Sequence, residues 1–319
     1  MDYTRGDAKA WANQTLKGFY EAPFTPIGTD LEIDEAQLKD NIERYIDAGV
    51  DGLVVGGFIA ELWTMTYQDW LRYHAMCAQA VAGRVPLFTI ILESSVKQAL
   101  EKMAYVEKLG YQGAEVMNPS VQLRGDDEIF DYFKYLTDHS DLAVVLYRTP
   151  MPGTLMSLDL CVRLAELETV VGVKQGSFSR ADTLTLRRRA RDDFIVSEPF
   201  ETFFFDDMRF GGQVLWAAFW YLAYGNKRHL MRQYYEHALA GEWEQGFAVW
   251  QELQPIRHFF EDLAADMART GTYASHIALM KPWMEAIGFP VGPVLPPVRE
   301  ADPQRKAWLV DQLQQLGVA

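Results

Sequence analysis

Eight short apolar segments alternate with longer amphipathic stretches along the first two thirds of the chain, and this alternation limits the fold to very few classes. The short segments are rich in Val, Leu and Ile and are apolar on both faces, which is typical of parallel strands buried on both sides. We predict strands at Gly18–Ala22, Gly52–Gly56, Pro86–Leu92, Gly113–Met117, Leu142–Tyr147, Val170–Lys174, Phe194–Ser197 and Gln213–Leu215. Helices are predicted between them at Asp34–Ala48, Thr66–Ala82, Ser95–Leu109, Asp126–His139, Ser157–Leu167 and Arg180–Arg191. Such alternation requires either a closed barrel or an open, doubly wound sheet.

The first predicted strand is not followed by the glycine-rich G-x-G-x-x-G turn of dinucleotide-binding sheets. Eight strand–helix repeats within about 220 residues instead favour an α/β fold of the (β/α)8 TIM-barrel class. Beyond Lys227 the strand signals stop, and helices are predicted at His229–Leu239, Glu242–Ala265, Tyr273–Ala286 and Pro303–Leu316. We therefore predict a single domain over residues 1–319, with the barrel at about 18–225 and a C-terminal helical extension at about 226–319.

Composition excludes several classes of function. The net charge of −14 argues against binding to nucleic acid or anionic membranes, both of which need Lys and Arg at phosphates. The sequence has no secretory leader and no apolar run long enough to span a bilayer, so we expect a cytoplasmic protein. Two cysteines, Cys77 and Cys161, lie in apolar helical stretches and are predicted to be buried free thiols. The six histidines lack metal-ligand spacing, and we expect no metal site.

Lys174 ends the predicted strand Val170–Lys174. Barrel enzymes place their active sites at the C-terminal ends of the strands. Among apolar side chains the ammonium form of a lysine is disfavoured, so its pKa falls and the neutral amine can attack a ketone or aldehyde to form an imine. The alternative, a lysine that simply reaches solvent from the end of a strand, is equally compatible with this position.

Tyr147 ends the preceding strand, so both side chains are expected at the same end of the barrel. A phenol there can relay protons during imine formation and carbon–carbon cleavage. The alternative is a packed aromatic whose hydroxyl bonds to a backbone carbonyl.

The segments around these two residues have a characteristic order. They are Pro23-Phe24-Thr25-Pro26-Ile27, Gly49-Val50-Asp51-Gly52-Leu53, Leu146-Tyr147-Arg148-Thr149-Pro150 and Gly172-Val173-Lys174. In this order the chain, from about Ala22 to about Pro297, resembles the dihydrodipicolinate synthase / N-acetylneuraminate lyase family of class I aldolases. The resemblance implies an imine at Lys174, a proton relay at Tyr147, no cofactor beyond that covalent imine, and a homo-oligomer, either dimer or tetramer.

Other positions depart from the family pattern. The family's carboxylate-binding loop reads G-T/S-T-G-E, whereas this chain has Gly57-Phe58-Ile59-Ala60-Glu61, without either hydroxyl. Leaving a buried group without such a hydrogen bond costs about 1–3 kcal/mol. The family's P-Y-Y is Pro119-Ser120-Val121 here, so a second relay tyrosine is missing. These changes argue against dihydrodipicolinate synthesis itself and suggest an apolar substrate pocket.

Two charged residues are further candidates for substrate contact. Arg148 stands where the family has Asn and can hold a carboxylate in a bidentate manner, although a salt bridge is the equal alternative. Glu198 follows the seventh strand and can face the barrel mouth.

The predicted substrate-binding residues are thus Gly57, Phe58, Ile59, Ser120, Val121, Arg148 and Glu198. The leading hypothesis is a Schiff-base lyase, an aldolase or hydratase-aldolase, acting on a small 2-oxo acid with an apolar or aromatic partner moiety. One alternative is a family member with altered catalysis that binds a ligand. Another is an imine-forming enzyme whose substrate is an aldehyde rather than a pyruvate-type acid.

Overall fold

The architecture is taken from a computed structural model, which describes residues 2–177, 179–270 and 273–319. The side chains of residues 218 and 264–276 lie outside that description. No helix among the described residues is long and apolar enough to cross a membrane.

Eight parallel strands form a nearly closed barrel. They are β1 Gly18–Glu21, β2 Gly52–Val55, β3 Leu87–Ile91, β4 Gly113–Met117, β5 Ala143–Arg148, β6 Val170–Gln175, β7 Ile195–Ser197 and β8 Val214–Ala218. Strands β1 to β6 each pair with the next in sequence, β8 pairs with β1, and the order is β7-β6-β5-β4-β3-β2-β1-β8. A parallel bridge between Glu198 and Leu215 brings β7 to β8. The predicted (β/α)8 barrel is confirmed.

Helices lie before β1, between the strands and over most of the C-terminal part. They are α1 Ala8–Thr15, α2 Glu35–Asp47, α3 Tyr67–Val81, α4 Val96–Lys108, α5 Asp126–Asp138, α6 Leu158–Leu164, α7 Arg180–Arg189, α8 Glu201–Met208, α9 Trp220–Ala223, α10 Arg228–Leu239, α11 Trp243–Glu252, α12 Gln254–Thr270, α13 Tyr273–Ala286 and α14 Pro303–Gln315. The predicted C-terminal helical extension is therefore present.

Local hydrogen bonds explain where several helices begin. The side chains of Asp34, Ser95 and Ser157 each accept a hydrogen bond from the backbone N–H three residues later. Such caps satisfy N–H groups that have no partner within the helix and typically contribute about 1 kcal/mol.

The prediction of one helix over Glu242–Ala265 is wrong, because α11 ends at Glu252 and α12 begins at Gln254. Pro255 is the reason, since proline has no N–H to donate and clashes with the preceding turn of a continuous helix. The short helices α1 and α8 were not predicted from the sequence, and at eight residues each they offer few periods of an apolar pattern.

Helix α1 covers the N-terminal ends of β6 and β8. Lys9, which is buried, donates hydrogen bonds to the carbonyls of Ala165 and Leu167, both shortly before β6. Gln213, directly before β8, donates to the carbonyl of Leu16. Apolar side chains of α1 also join the core inside the barrel. Helix α1 therefore fills the N-terminal end of the barrel.

The chain forms two compact units. The first comprises the chain up to Glu21, Asp51–Gly57 and Val81–Ala218, and holds all eight strands. The second comprises Ala22–Val50, Phe58–Ala80 and Phe219–Ala319. Cys161 in the first unit and Cys77 in the second are free and buried, as predicted, and burial raises the pKa of each thiol to about 12.

A buried ion pair is a notable feature of the second unit. The Nζ of Lys281 lies 2.5 Å from an Oε of Glu61, and neither side chain is appreciably exposed. The same lysine donates to the carbonyl of Pro293, and the backbone N–H of Leu295 donates to Glu61 at 2.7 Å. The pair thus joins the loop after β2 to α13 and the segment that follows it.

Candidate active site

Lys174 lies near the C-terminal end of β6, with its amine inside the barrel. The residue is 7% exposed. Its Nζ donates to the carbonyl oxygen of Ala217 at 3.0 Å and lies 3.4 Å from Oε1 of Glu115. The lysine therefore does not reach out to solvent, which was the alternative interpretation of its position.

Tyr147 is the neighbour of Lys174 across the β5–β6 pairing, in direct register. The Nζ of Lys174 lies 4.4 Å from the centroid of the tyrosine ring, within the range of a cation–π contact. The half-buried phenol is thereby held beside the amine. The structure brings together the two residues that the sequence selected.

Glu115 and Trp216 occupy the barrel interior beside Lys174. Glu115 is fully buried in the middle of β4, in register with Ile90 and Val145 of the interior core. The indole N–H of Trp216 donates to its Oε2 at 2.7 Å. Residues Met117, Tyr147 and Lys174 share a register two positions further along. Glu115 therefore faces the Lys174 amine from deeper in the barrel.

Burial governs the ionisation of this pair. It lowers the pKa of Lys174 from its ordinary value, and the nearby Glu115 carboxylate opposes that change. Burial likewise raises the pKa of Glu115, opposed by the charge of Lys174 and the hydrogen bond from Trp216. Both directions favour moving a proton from the ammonium to the carboxylate, which yields the neutral amine that a nucleophile requires.

Arg148 is buried and does not sit at the mouth as an open anion site. Its guanidinium donates to the carbonyl of Met156 and to the amide oxygen of Gln175, and it pairs with Asp182 at 2.9 Å. Through these contacts Arg148 joins β5 to β6 and α7, which is a structural role. The expected salt bridge is the alternative that the geometry favours, although it is buried rather than at the surface.

Glu198 is also directed away from Lys174. Its carboxylate accepts a hydrogen bond from the hydroxyl of Thr183 at 2.6 Å and lies 3.4 Å from the guanidinium of Arg180. Both partners belong to α7, and Glu198 is buried against that helix. The geometry therefore supports a structural role and does not bring Glu198 to the amine.

Ser120 and Val121 follow the C-terminal end of β4 and are exposed. The hydroxyls of Ser120 and Ser94 lie 3.0 Å apart, and the backbone N–H of Ser120 also donates to Ser94. Val121 is 61% exposed. These residues lie at the end of the strands where barrel enzymes bind their substrates.

The loop after β2 divides between the two structural units. Gly57 is buried in the first, and a Cβ at this position would lie 2.5 Å from Cδ1 of Ile90, so the end of that side chain would have to shift to admit a larger residue. Phe58 and Ile59 belong to the second unit, on a short 3-10 turn, and both are half-buried. Glu61 adopts a left-handed backbone conformation, with φ of 58°, where its carboxylate meets Lys281.

Within the described part of the chain, no three His, Cys, Asp or Glu side chains are grouped so that they could hold a metal ion. The side chain of His276, one of the six histidines, lies outside that part.

A model of the dihydrodipicolinate synthetase family matches residues 15–316, which is nearly the whole chain. The chain belongs to that family. Its members are lyases that use a lysine Schiff base, and the proposed resemblance is confirmed.

Relatives of the dihydrodipicolinate synthetase family are distant in sequence. The 4-hydroxy-tetrahydrodipicolinate synthase of Methanopyrus kandleri is 25% identical over 307 residues, covering 95% of this chain and 97% of the relative. That of Methanothermobacter thermautotrophicus is 30% identical over 186 residues, covering 57% of this chain and 66% of the relative. The second match thus spans just under two thirds of the relative's length.

Solved structures of the family share the fold. YagE, a prophage protein of the dihydrodipicolinic acid synthase family from E. coli K12, solved in complex with pyruvate, has a TM-score of 0.83 at 22% identity. The comparison covers 95% of this chain and 99% of YagE. The dihydrodipicolinate synthase of Oceanobacillus iheyensis gives the same TM-score at 19% identity, covering 98% and 100%.

Sequence reasoning did not single out Glu115 or Trp216. The available signal was a carboxylate in the middle of an otherwise apolar strand, Gly113–Met117, where a charge is costly unless it is paired. Trp216 gave no comparable signal, because an aromatic side chain in a strand is ordinary.

Proposed function

We propose that this protein is a Schiff-base-forming lyase, an aldolase or hydratase-aldolase, that acts on a 2-oxo acid with an apolar or aromatic partner moiety. The observation that carries the proposal is the buried Lys174 amine beside the ring of Tyr147, at the C-terminal ends of β6 and β5. The complex of its structural relative YagE with pyruvate supports a pyruvate-type substrate.

In the proposed reaction, the neutral Lys174 amine forms a bond to the keto carbon, and the carbonyl oxygen leaves as water. The resulting iminium accepts the electron pair of the carbon–carbon bond that breaks and becomes an enamine. In the forming direction the enamine donates that pair to the new bond, and the iminium is restored. The Tyr147 hydroxyl moves protons between nitrogen and oxygen, a role that typically accelerates such steps about 10²–10⁴-fold.

The apolar partner moiety is inferred from the residues that replace the family's polar ones. Phe58, Ile59 and Val121 stand where hydroxylated side chains are found in the family pattern, and none of the three is fully buried in the core. Apolar side chains at these positions favour an aromatic or alkyl group over a polyhydroxylated chain. Because Arg148 is engaged in its own network, we do not assign it to the substrate carboxylate.

The test is reductive trapping. The protein is treated with sodium borohydride in the presence of pyruvate, a benzylidenepyruvate or benzaldehyde, and peptides are examined by mass spectrometry. We expect the reduced adduct on Lys174 with the 2-oxo acids, more extensively with the aromatic one. An adduct with benzaldehyde alone would instead favour the aldehyde alternative, and no adduct with any of them would contradict imine chemistry.

Replacing Tyr147 by Phe is expected to slow adduct formation at Lys174 about 10²-fold or more, since the ring remains beside the amine while the proton-carrying hydroxyl is lost. The rate of trapping with pyruvate measures this effect. Tyr132→Phe is a suitable control, because its hydroxyl bonds to the carbonyl of Glu93 and has no contact with Lys174. An unchanged rate in the Tyr147 variant would contradict the relay.

Assembly into a dimer or tetramer and residence in the cytoplasm remain predictions, as does the single-domain organisation over residues 1–319. Light scattering after size-exclusion chromatography would test the first.

A further inference from the structure

The carboxylate of Glu115 divides its two oxygens between two groups. Its Oε1 faces the Nζ of Lys174 at 3.4 Å, and its Oε2 accepts the indole N–H of Trp216 at 2.7 Å. The residue has no measurable exposure, and Trp216 is 1% exposed. Two aromatic rings pack on the indole, with centroid distances of 5.0 Å to Tyr20 and 4.9 Å to Phe88. Glu115 is therefore held in place in a dry interior.

Glu115 and Tyr147 approach the Lys174 amine from different levels of the barrel. Tyr147 is in register with Lys174, whereas Glu115 precedes that register by two residues on β4. Successive inward-facing side chains of a strand are two residues apart, so Glu115 belongs to the next layer towards the N-terminal ends. It thus meets the nitrogen from the side opposite to the C-terminal ends of the strands, where barrel enzymes bind their substrates.

A buried carboxylate in such surroundings requires a positive partner. Removing one member of a buried pair leaves an uncompensated charge, which is strongly unfavourable. Among the described residues, the charged group that acts on the pKa of Glu115 is Lys174, and the one that acts on the pKa of Lys174 is Glu115. The uncharged groups beside the amine are the Tyr147 ring and the Ala217 carbonyl.

We propose that Glu115 is the counter-ion and proton acceptor of the Lys174 nitrogen. Its carboxylate pairs with the ammonium, holds one proton while the neutral amine attacks, and pairs again with the iminium that is formed. This inference rests on the proposed function, because it needs the imine to form. It assigns a role in the chemistry to a residue outside the Lys174–Tyr147 pair.

Protons and charge balance in this scheme. The Lys174 ammonium, with three protons, gives one to Glu115, and the freed electron pair forms the bond to the keto carbon. Tyr147 carries one proton from nitrogen to the carbonyl oxygen. Glu115 returns its proton to nitrogen, Tyr147 carries a second to oxygen, and the carbon–oxygen bond breaks to release water. The iminium keeps one proton, directed at the Glu115 carboxylate, and the charge on nitrogen is the same before and after.

The experiment uses Glu115→Gln, which keeps the size and the acceptor for Trp216 but removes the negative charge. Wild type and variant are saturated with [2-¹³C]pyruvate, and the iminium is followed between pH 5 and 10 by its ¹³C resonance and by borohydride trapping. Without its counter-ion the iminium should lose its proton at lower pH. We expect its titration to move down by at least about one pH unit, which lowers the iminium fraction about tenfold at alkaline pH.

Two further variants keep the test decisive. Trp216→Phe removes the hydrogen bond that stabilises the Glu115 charge, so its titration should move in the same direction by a smaller amount, even if the Gln variant does not fold. Glu198→Gln alters another buried carboxylate, bonded to Thr183, and should leave the titration unchanged.

The outcomes separate the two proposals. If the wild-type adduct forms and the iminium titrates at the same pH in Glu115→Gln and Trp216→Phe as in the wild type, the role of Glu115 is overturned and the proposed function stands. Absence of any wild-type adduct would overturn the proposed function and the counter-ion with it. A downward shift confined to the Glu115 and Trp216 variants would support the counter-ion.

Discussion

Replacement of Lys174 by Met is expected to abolish the borohydride-stable adduct and to reduce turnover by at least about 10³-fold, because it removes the amine that is held beside Tyr147. Methionine keeps the unbranched shape of the side chain but has no nucleophilic nitrogen. Mass spectrometry of the trapped protein and steady-state turnover with the substrate identified by trapping measure the two effects.

Lys9→Met provides a matched control for this variant. Lys9 is a buried lysine of similar exposure, 8% against 7%, and it hydrogen-bonds to the carbonyls of Ala165 and Leu167 at the opposite ends of the strands. The control should lose stability but keep the adduct. An adduct that persists in the Lys174 variant and maps to another residue would refute the assignment of the nucleophile.

The second large effect is expected on stability. Lys281→Met should lower the free energy of unfolding by about 3–5 kcal/mol, because it leaves the Glu61 carboxylate buried without its cation. The backbone N–H of Leu295 would remain as a hydrogen-bond donor to that carboxylate but cannot neutralise its charge. Urea denaturation followed by circular dichroism gives the free energy directly.

A double-variant cycle distinguishes this pair from ordinary packing. Glu61→Gln together with Lys281→Met removes both charges, so its loss of stability should be smaller than the sum of the two single losses. Arg72→Met is a useful comparison, since its contacts with Glu35 are exposed and such pairs contribute about 0–1 kcal/mol. Additive losses at Glu61 and Lys281 would mean that the two residues are not energetically coupled.

The barrel was largely predictable because each strand is a short apolar run buried on both faces. All eight predicted strands are present, and β4 matches its predicted bounds of Gly113–Met117. The first residues of helices were equally predictable where a capping side chain precedes them, as at Asp34 and Ser157. Pro255 in the sequence also indicates the break between α11 and α12. The prediction missed it because the amphipathic pattern continues across that proline.

Lys174 and Tyr147 could be selected from the sequence because each ends a predicted strand and stands in a segment that resembles the family pattern; the structure places them in direct register. The alternation of side chains along a strand also explains why two other candidates fail to join them. Arg148 follows Tyr147 directly, and Glu198 follows Ser197 directly, so each faces the opposite side from its inward-facing neighbour and meets α7.

The pairing of Glu115 with Trp216 was not predictable, because the two residues are 101 positions apart in the chain and meet only when the barrel closes. A charged residue in the middle of an apolar strand signals that a partner exists. Its identity depends on which strands lie across the interior, and hydrophobic patterning contains no information about that.

The interior layer formed by Glu115 and Trp216 bears on how this scaffold could be redesigned. Substrate choice in a barrel is usually altered by exchanging the loops that follow the strands, such as those that carry Ile59 or Val121. The basicity of the reacting nitrogen would be set instead by strand residues beneath it, which no loop exchange alters. Specificity and imine reactivity would then be separately adjustable, so a library confined to loops would explore only one of these two properties.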